Sequence, residues 1–156
     1  RPAGMSLLRR SGQQALQALL ELAQEPTRWR SVTDIASSQG LPAPMLEQLL
    51  LQLRRSGLLD ARRGRQGGYR LARPAAQIAV AHVLTAVGAD LQLLDGEALA
   101  DPNQDHSAEE RVLISMGNRL QRAMERELQQ FTLEELLFDL QSCRASLNDG
   151  GGLMLG

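Results

Sequence analysis

Residues 40–74 read GLPAPMLEQLLLQLRRSGLLDARRGRQGGYRLARP, and this stretch decides the fold. Its first half predicts a helix over about 43–56. Leu46, Leu49, Leu50 and Leu53 fall on one face, and Glu47, Gln48, Gln52, Arg54 and Arg55 are left mostly outside. Either Pro42 or Pro44 suits a first helical position, and Gly57 ends the helix. Two short strands follow, over 58–62 and 69–73. The joint between them, Arg63-Gly64-Arg65-Gln66-Gly67-Gly68, is rich in glycine, which supplies the positive φ that a tight hairpin needs.

Upstream, residues 11–24 place Ala15, Leu16, Leu19, Leu20, Leu22 and Ala23 on a broad apolar face, a helix with Ser11 as its expected cap and Glu25-Pro26 as its end. Residues 27–31 form a loop holding Arg28, Trp29 and Arg30. A short helix then runs over 32–38, with Val32, Ile35 and Ala36 inward, Ser31 or Thr33 as cap and Gly40 as stop. Three helices followed by a hairpin spell a winged helix-turn-helix, expected over 7–74.

Downstream of Pro74 a dimerisation and sensor region is expected over 75–147. A helix over 77–87 turns Val80, Val83, Leu84 and Val87 inward. Residues 88–107 read as a polar, acidic loop, long for a compact domain. A helix over about 108–131 carries Leu113, Met116, Leu120, Met124 and Leu128 at spacings of three and four. Thr132 and Glu135 have capping-box spacing ahead of a last helix over 133–145. Residues 148–156 are expected to be a flexible tail. The fold class is therefore mainly α, a winged helix-turn-helix domain with a two-stranded wing and a long C-terminal dimerisation helix.

Composition sharpens the functional reading. The 156 residues carry a formal net charge of −1, which hides a strong asymmetry. Residues 1–75 hold twelve Arg against five acids, a charge of +7, and residues 76–156 hold five Arg against thirteen acids, a charge of −8. Such a division hints at nucleic-acid binding. All seventeen basic residues are Arg, whose planar fork matches phosphates and guanine edges, although a biased genome composition would also remove Lys. A single cysteine, Cys143, excludes a disulfide-stapled fold. No apolar run approaches the ~18 residues of a membrane span, and the first residues have no apolar signal core, so a cytoplasmic location is expected.

No catalytic constellation is legible, and an enzyme is not expected. His82 and His106 lie in unrelated settings, and Gly64-x-x-Gly67-Gly68 lacks the Gly-Lys-Ser/Thr of a phosphate loop. The acids Asp90, Asp95, Glu97, Asp101, Asp105, Glu109 and Glu110 have no EF-hand spacing and read as a solvated loop. The arginines are different. Arg28 and Arg30 precede the second helix, Arg54 and Arg55 end the third, and Arg62, Arg63, Arg65, Arg70 and Arg73 decorate the hairpin. On a winged helix these surround one footprint, with the third helix in a major groove and the wing in the adjacent minor groove.

The series SVTDIA (31–36), GLPAPMLEQLLLQLRRSGLL (40–59), RGRQGGYRLARP (63–74) and QIAVAHVLTAV (77–87) resembles the Rrf2 family of bacterial transcription regulators, and with QALQALLELA (14–23), the long helix and TLEEL the likeness covers about 7–143. The resemblance implies a homodimer, paired through the long helix, on a pseudo-palindromic double-stranded DNA operator; such regulators often repress their own genes. Carried over by motif, Glu47 and Gln48 match base-reading residues, Arg63 matches a wing arginine that enters the minor groove, and Gly64, Gly67, Gly68 and Tyr69 fall on the wing scaffold. Glu accepting from cytosine N4 and Gln pairing with adenine agree with this.

Two positions depart from the family. Pro44 stands where a hydroxyl residue is common, and Gln14 where a Tyr is common. The larger departure is in the sensor. Many members carry three loop cysteines and a nearby His that hold an iron–sulfur cluster; here residues 88–112 contain no cysteine, and the His position falls near Ile114. No cofactor is therefore expected, and the signal would be a small-molecule or protein effector. Cys143, on a stripe with Leu133, Leu136, Leu137 and Leu140, reads as a small buried hydrophobe. The alternatives are an iron–sulfur or redox site of unusual ligation using Cys143 and His106, and a protein-interaction adaptor that has lost DNA binding.

Overall fold

The computed structural model describes residues 8–89 and 105–150. The order is α1 (Arg9–Gln24), α2 (Val32–Gln39), α3 (Ala43–Arg55), β1 (Leu59–Arg62), β2 (Gly68–Leu71), a 3-10 turn (Ala75–Gln77), α4 (Val80–Ala86), α5 (Ala108–Gln130) and α6 (Leu133–Gly150). The two strands pair antiparallel, with Leu59 opposite Leu71 and Arg62 opposite Gly68. Among the described residues this is a mainly helical chain with one hairpin. Asp90, Asp95, Glu97 and Asp101 of the acidic loop lie outside the described residues.

The core is aliphatic, as an aromatic content of 3% requires. Leu19 and Leu22 of α1, Ile35 of α2 and Leu46, Leu50 and Leu53 of α3 are buried together with Leu58 at the entry to the wing. Val80, Val83, Leu84 and Val87 close it from α4, and Leu133 at the start of α6. A leucine at such a position contributes about 2–5 kcal/mol over alanine.

Four local expectations are corrected. Ser11 does not cap α1, because the helix starts at Arg9, with Leu8 in the cap position packed on the core. The fourth helix begins at Val80 rather than 77. Ile78 and Ala79 stay extended, since Val80 N–H donates to the Phe131 carbonyl at 2.9 Å and Leu133 N–H donates to the Ile78 carbonyl at 2.8 Å. That pairing locks the α5–α6 junction to the start of α4. The last helix runs to Gly150, beyond the expected 145. Cys143 is exposed rather than buried. α1 ends at Gln24, whose Oε1 accepts a 2.5 Å hydrogen bond from Arg144, and residues 141–149 of α6 are all exposed.

The caps are clear. Ser31 Oγ accepts from Asp34 N–H at 3.1 Å, and Gly40 closes α2 in the left-handed region at φ 64°. Thr132 Oγ1 accepts from Glu135 N–H at 3.2 Å. A full capping box that the sequence reading did not single out, Ser107 with Glu110, starts α5. The backbone N–H of Ser107 holds the Glu110 carboxyl below the usual carboxylate range.

Candidate nucleic-acid interface

The wing is built around its glycines. A Cβ at Gly67 would collide with the Arg62 carbonyl, and one at Gly68, whose φ is 136°, would collide with the Arg30 carbonyl. The second collision shows what Gly68 permits. Arg30 N–H donates to the Tyr69 carbonyl at 2.9 Å, and Tyr69 N–H donates to the Arg30 carbonyl at 2.8 Å. The segment before α2 thus lies along β2 as a third, one-bridge strand. Gly64, Gly67, Gly68 and Tyr69 are together at the hairpin, as a scaffold requires.

The predicted DNA-facing residues divide into two groups. Glu47 and Gln48 are exposed on α3, because the Leu46, Leu49, Leu50 and Leu53 face is turned fully into the core. Arg54 and Arg55 are exposed in the last turn of α3, where positive charge also suits the helix dipole. Arg63 and Arg65 project from the hairpin tip, exposed and without a protein partner among the described residues. Arg62 is exposed and donates a 2.8 Å hydrogen bond to the Gln66 carbonyl. Arg28 is exposed but paired with Glu25 at 2.7 Å.

Arg30 has a different setting. Its side chain is only 13% exposed, and it lies 3.1 Å from Glu21 Oε1. Its Nε is buried without a partner. Glu21 also accepts from Ser38 Oγ at 2.9 Å and Gln39 Nε2 at 2.6 Å. Burial pushes the Glu21 carboxyl upward, but the bonds from Ser38, Gln39 and Arg30 outweigh it and leave the pKa below its usual value. Arg30 therefore ties α1, α2 and the wing base together instead of facing solvent.

Sequence reasoning passed over two surface groups. Met45 is exposed beside Glu47 and Gln48 on α3, where an apolar atom can meet a thymine methyl. Its break from the leucine spacing was the available signal. Trp29 carries both Arg62 and Arg70 over its ring. Its signal was an isolated tryptophan flanked by two arginines.

On α5, Leu113, Met116 and Leu120 are 59%, 52% and 53% exposed. Met124 is half-buried, and Leu128 packs against the chain's own core. The predicted stripe thus serves two adjoining surfaces, one packed on the chain's own core and one exposed.

The chain carrying this exposed helix face and glycine-built arginine hairpin is similar to known proteins. The model of the Rrf2 family, described as an iron-dependent transcriptional regulator, matches residues 8–139. The chain belongs to the Rrf2 family. It is 36% identical over 138 residues to the Synechocystis sp. protein slr0846, spanning 87% of this chain and 90% of that one. It is 42% identical over 79 residues to the HTH-type transcriptional regulator IscR of Cereibacter sphaeroides, 49% of this chain and 51% of that protein. The structure of T. potens IscR superposes with a TM-score of 0.68 at 32% identity, covering 86% of this chain and 88% of that one. This Rrf2 protein is accordingly a DNA-binding winged-helix transcriptional regulator and not an enzyme.

The family description names iron, and few donors for it are present. Cys143 is the chain's one thiol, and His106 Nδ1 lies 3.5 Å from Glu110 Oε2. Among the described residues no group of three or more His, Cys, Asp or Glu is placed to hold a metal ion. Clusters take about four thiolates, so this donor set does not fit a cluster held within one Rrf2 chain. No helix among the described residues is long and apolar enough to cross a membrane.

Proposed function

We propose that this Rrf2 protein is a homodimeric, sequence-specific regulator that binds a pseudo-palindromic operator without the standard iron–sulfur site. The carrying observation is the wing tip, where Arg63 and Arg65 are exposed and unpaired among the described residues. In this reading Glu47 and Gln48 read base edges in the major groove, Arg63 enters the minor groove, and Arg54 and Arg55 contact phosphates. Leu113, Met116 and Leu120 of one protomer pack on those of its partner. The signal is a small molecule or a partner protein.

Selection of bound sequences from random duplex DNA tests this directly, and a palindromic motif is the expected outcome. Affinity for the selected site should fall steeply with salt as counterions are released. Arg63→Ala should weaken binding, lower the salt slope by about one and blunt the preference at the wing position. Unchanged binding by that variant removes the wing role, and an unenriched selection favours the adaptor reading.

A second reading, an iron–sulfur or redox sensor with one Cys143 from each subunit, draws on the exposure of that thiol. Anaerobic purification with a visible spectrum and iron analysis decides it. Absence of cluster bands and of iron removes the iron–sulfur form.

A further inference from the structure

Trp29 is the chain's one tryptophan, and it sits in the α1–α2 connection, not in the wing. The Arg30–Tyr69 bridge brings it there. Because that pairing is antiparallel, Trp29 falls opposite Arg70 of β2. The guanidinium carbon of Arg70 lies over the indole at 4.2 Å from the ring centroid, and that of Arg62 at 5.0 Å. Both distances are within cation–π range. Each arginine has one further restraint. Arg62 donates to the Gln66 carbonyl at 2.8 Å, and Arg70 makes a longer 3.5 Å approach to the Thr27 carbonyl. Two guanidinium groups in one small area repel one another, and the electron-rich ring face offsets that repulsion.

A guanidinium seated on an indole uses its flat face and leaves in-plane N–H donors for other acceptors. Free arginine side chains lose considerable rotamer freedom when they capture a phosphate, and holding them in place beforehand reduces that loss. We propose that Trp29 is a positioning residue for DNA binding: one indole pre-orders Arg62 and Arg70 at the wing base, so that both meet phosphates of the DNA backbone in a fixed register. This rests on the reading of the wing as a DNA-contacting element, and it adds phosphate contacts from Arg62 and Arg70 to those of Arg54 and Arg55, beside the groove contact of Arg63.

The test uses the full chain and the selected duplex. Arg62→Ala/Arg70→Ala should weaken binding and lower the salt slope by about two. Trp29→Leu should weaken binding roughly five- to tenfold, because two freed arginine side chains must then be ordered on binding, and Trp29→Phe should retain most of the affinity. In the Arg62→Ala/Arg70→Ala background, Trp29→Leu should add little, because the indole acts through those arginines. Emission from Trp29 should change when DNA saturates the wild type, and much less in the double arginine variant.

Other outcomes separate the two ideas. If the arginine variant binds like wild type, the reading of these wing contacts fails. If it weakens binding but Trp29→Leu binds equally well or tighter, or its loss simply adds, the platform is overturned and the wing reading stands. Thermal melts check that Trp29→Leu folds. If it does not, the emission comparison decides, since it leaves Trp29 in place; an equal DNA response in both proteins overturns the proposal.

Discussion

Glu21 shows how much one side chain can organise. Its carboxylate is 11% exposed and receives bonds from α2 and from Arg30 at the wing base. Glu21→Gln replaces one acceptor oxygen by an amide NH2 that faces donors, and should cost about 1–3 kcal/mol at neutral pH, measured by denaturant unfolding. The sign of the pH effect follows from linkage. The folded pKa lies below the ordinary value of 4.5, so the stabilisation is fully present above that value and is lost as pH falls through the folded pKa. The difference between wild type and variant should narrow on acidification; a gap that widens in acid contradicts the assignment. Among the arginines, sequence could show that nine cluster between Arg28 and Arg73. It could not show that Arg30 pairs with Glu21 while Arg63 is exposed, because both look alike until the chain brings the side chains of residues 21 and 30 within 3.1 Å.

The wing is the element on which the interface turns. The glycines of Arg63–Gly68 were legible as hairpin residues, but their reason was only half legible. Gly68 is needed for its φ of 136° and also because the backbone of Arg30 passes directly over it. Gly68→Ala should therefore cost about 2–4 kcal/mol, more than a turn glycine alone would. It should also displace the 27–31 segment from β2, read as a lower melting temperature and weaker DNA binding. A substitution tolerated without loss of stability would contradict the close approach. The fourth helix carries a similar lesson. Its apolar positions were legible by spacing, but its start was not, because Ile78 and Ala79 pair with residues more than fifty positions away.

At the scale of the molecule, the open surface of α5 is the feature that a single chain leaves unfinished. Leu113, Met116 and Leu120 stand exposed along one helix face, a larger apolar run than isolated surface leucines would make. On the proposed homodimer, Leu120→Glu should yield a monomer by sedimentation, with operator affinity reduced at least tenfold because two half-sites are no longer joined. A dimer that survives this change would place the subunit contact elsewhere. The charge division has the same scale. Of the twelve arginines in residues 1–75, Arg54, Arg55, Arg62, Arg63 and Arg65 are exposed on α3 and the wing, while residues 76–156 hold thirteen acids against five arginines.

By itself the sequence determined the element types, the leucine face of α3, the hairpin and the kinship with Rrf2 regulators, because these depend on local periodicity, turn chemistry and an ordered motif. The lack of a three-cysteine set was equally plain from composition. The tertiary structure decided which arginines remain exposed, that Trp29 packs against two arginines of the wing, that Leu128 faces inward while Leu120 does not, and that Cys143 is exposed. Each of these depends on which distant segment lies alongside, and neighbours of that kind are set by packing and long-range hydrogen bonds that no local pattern specifies.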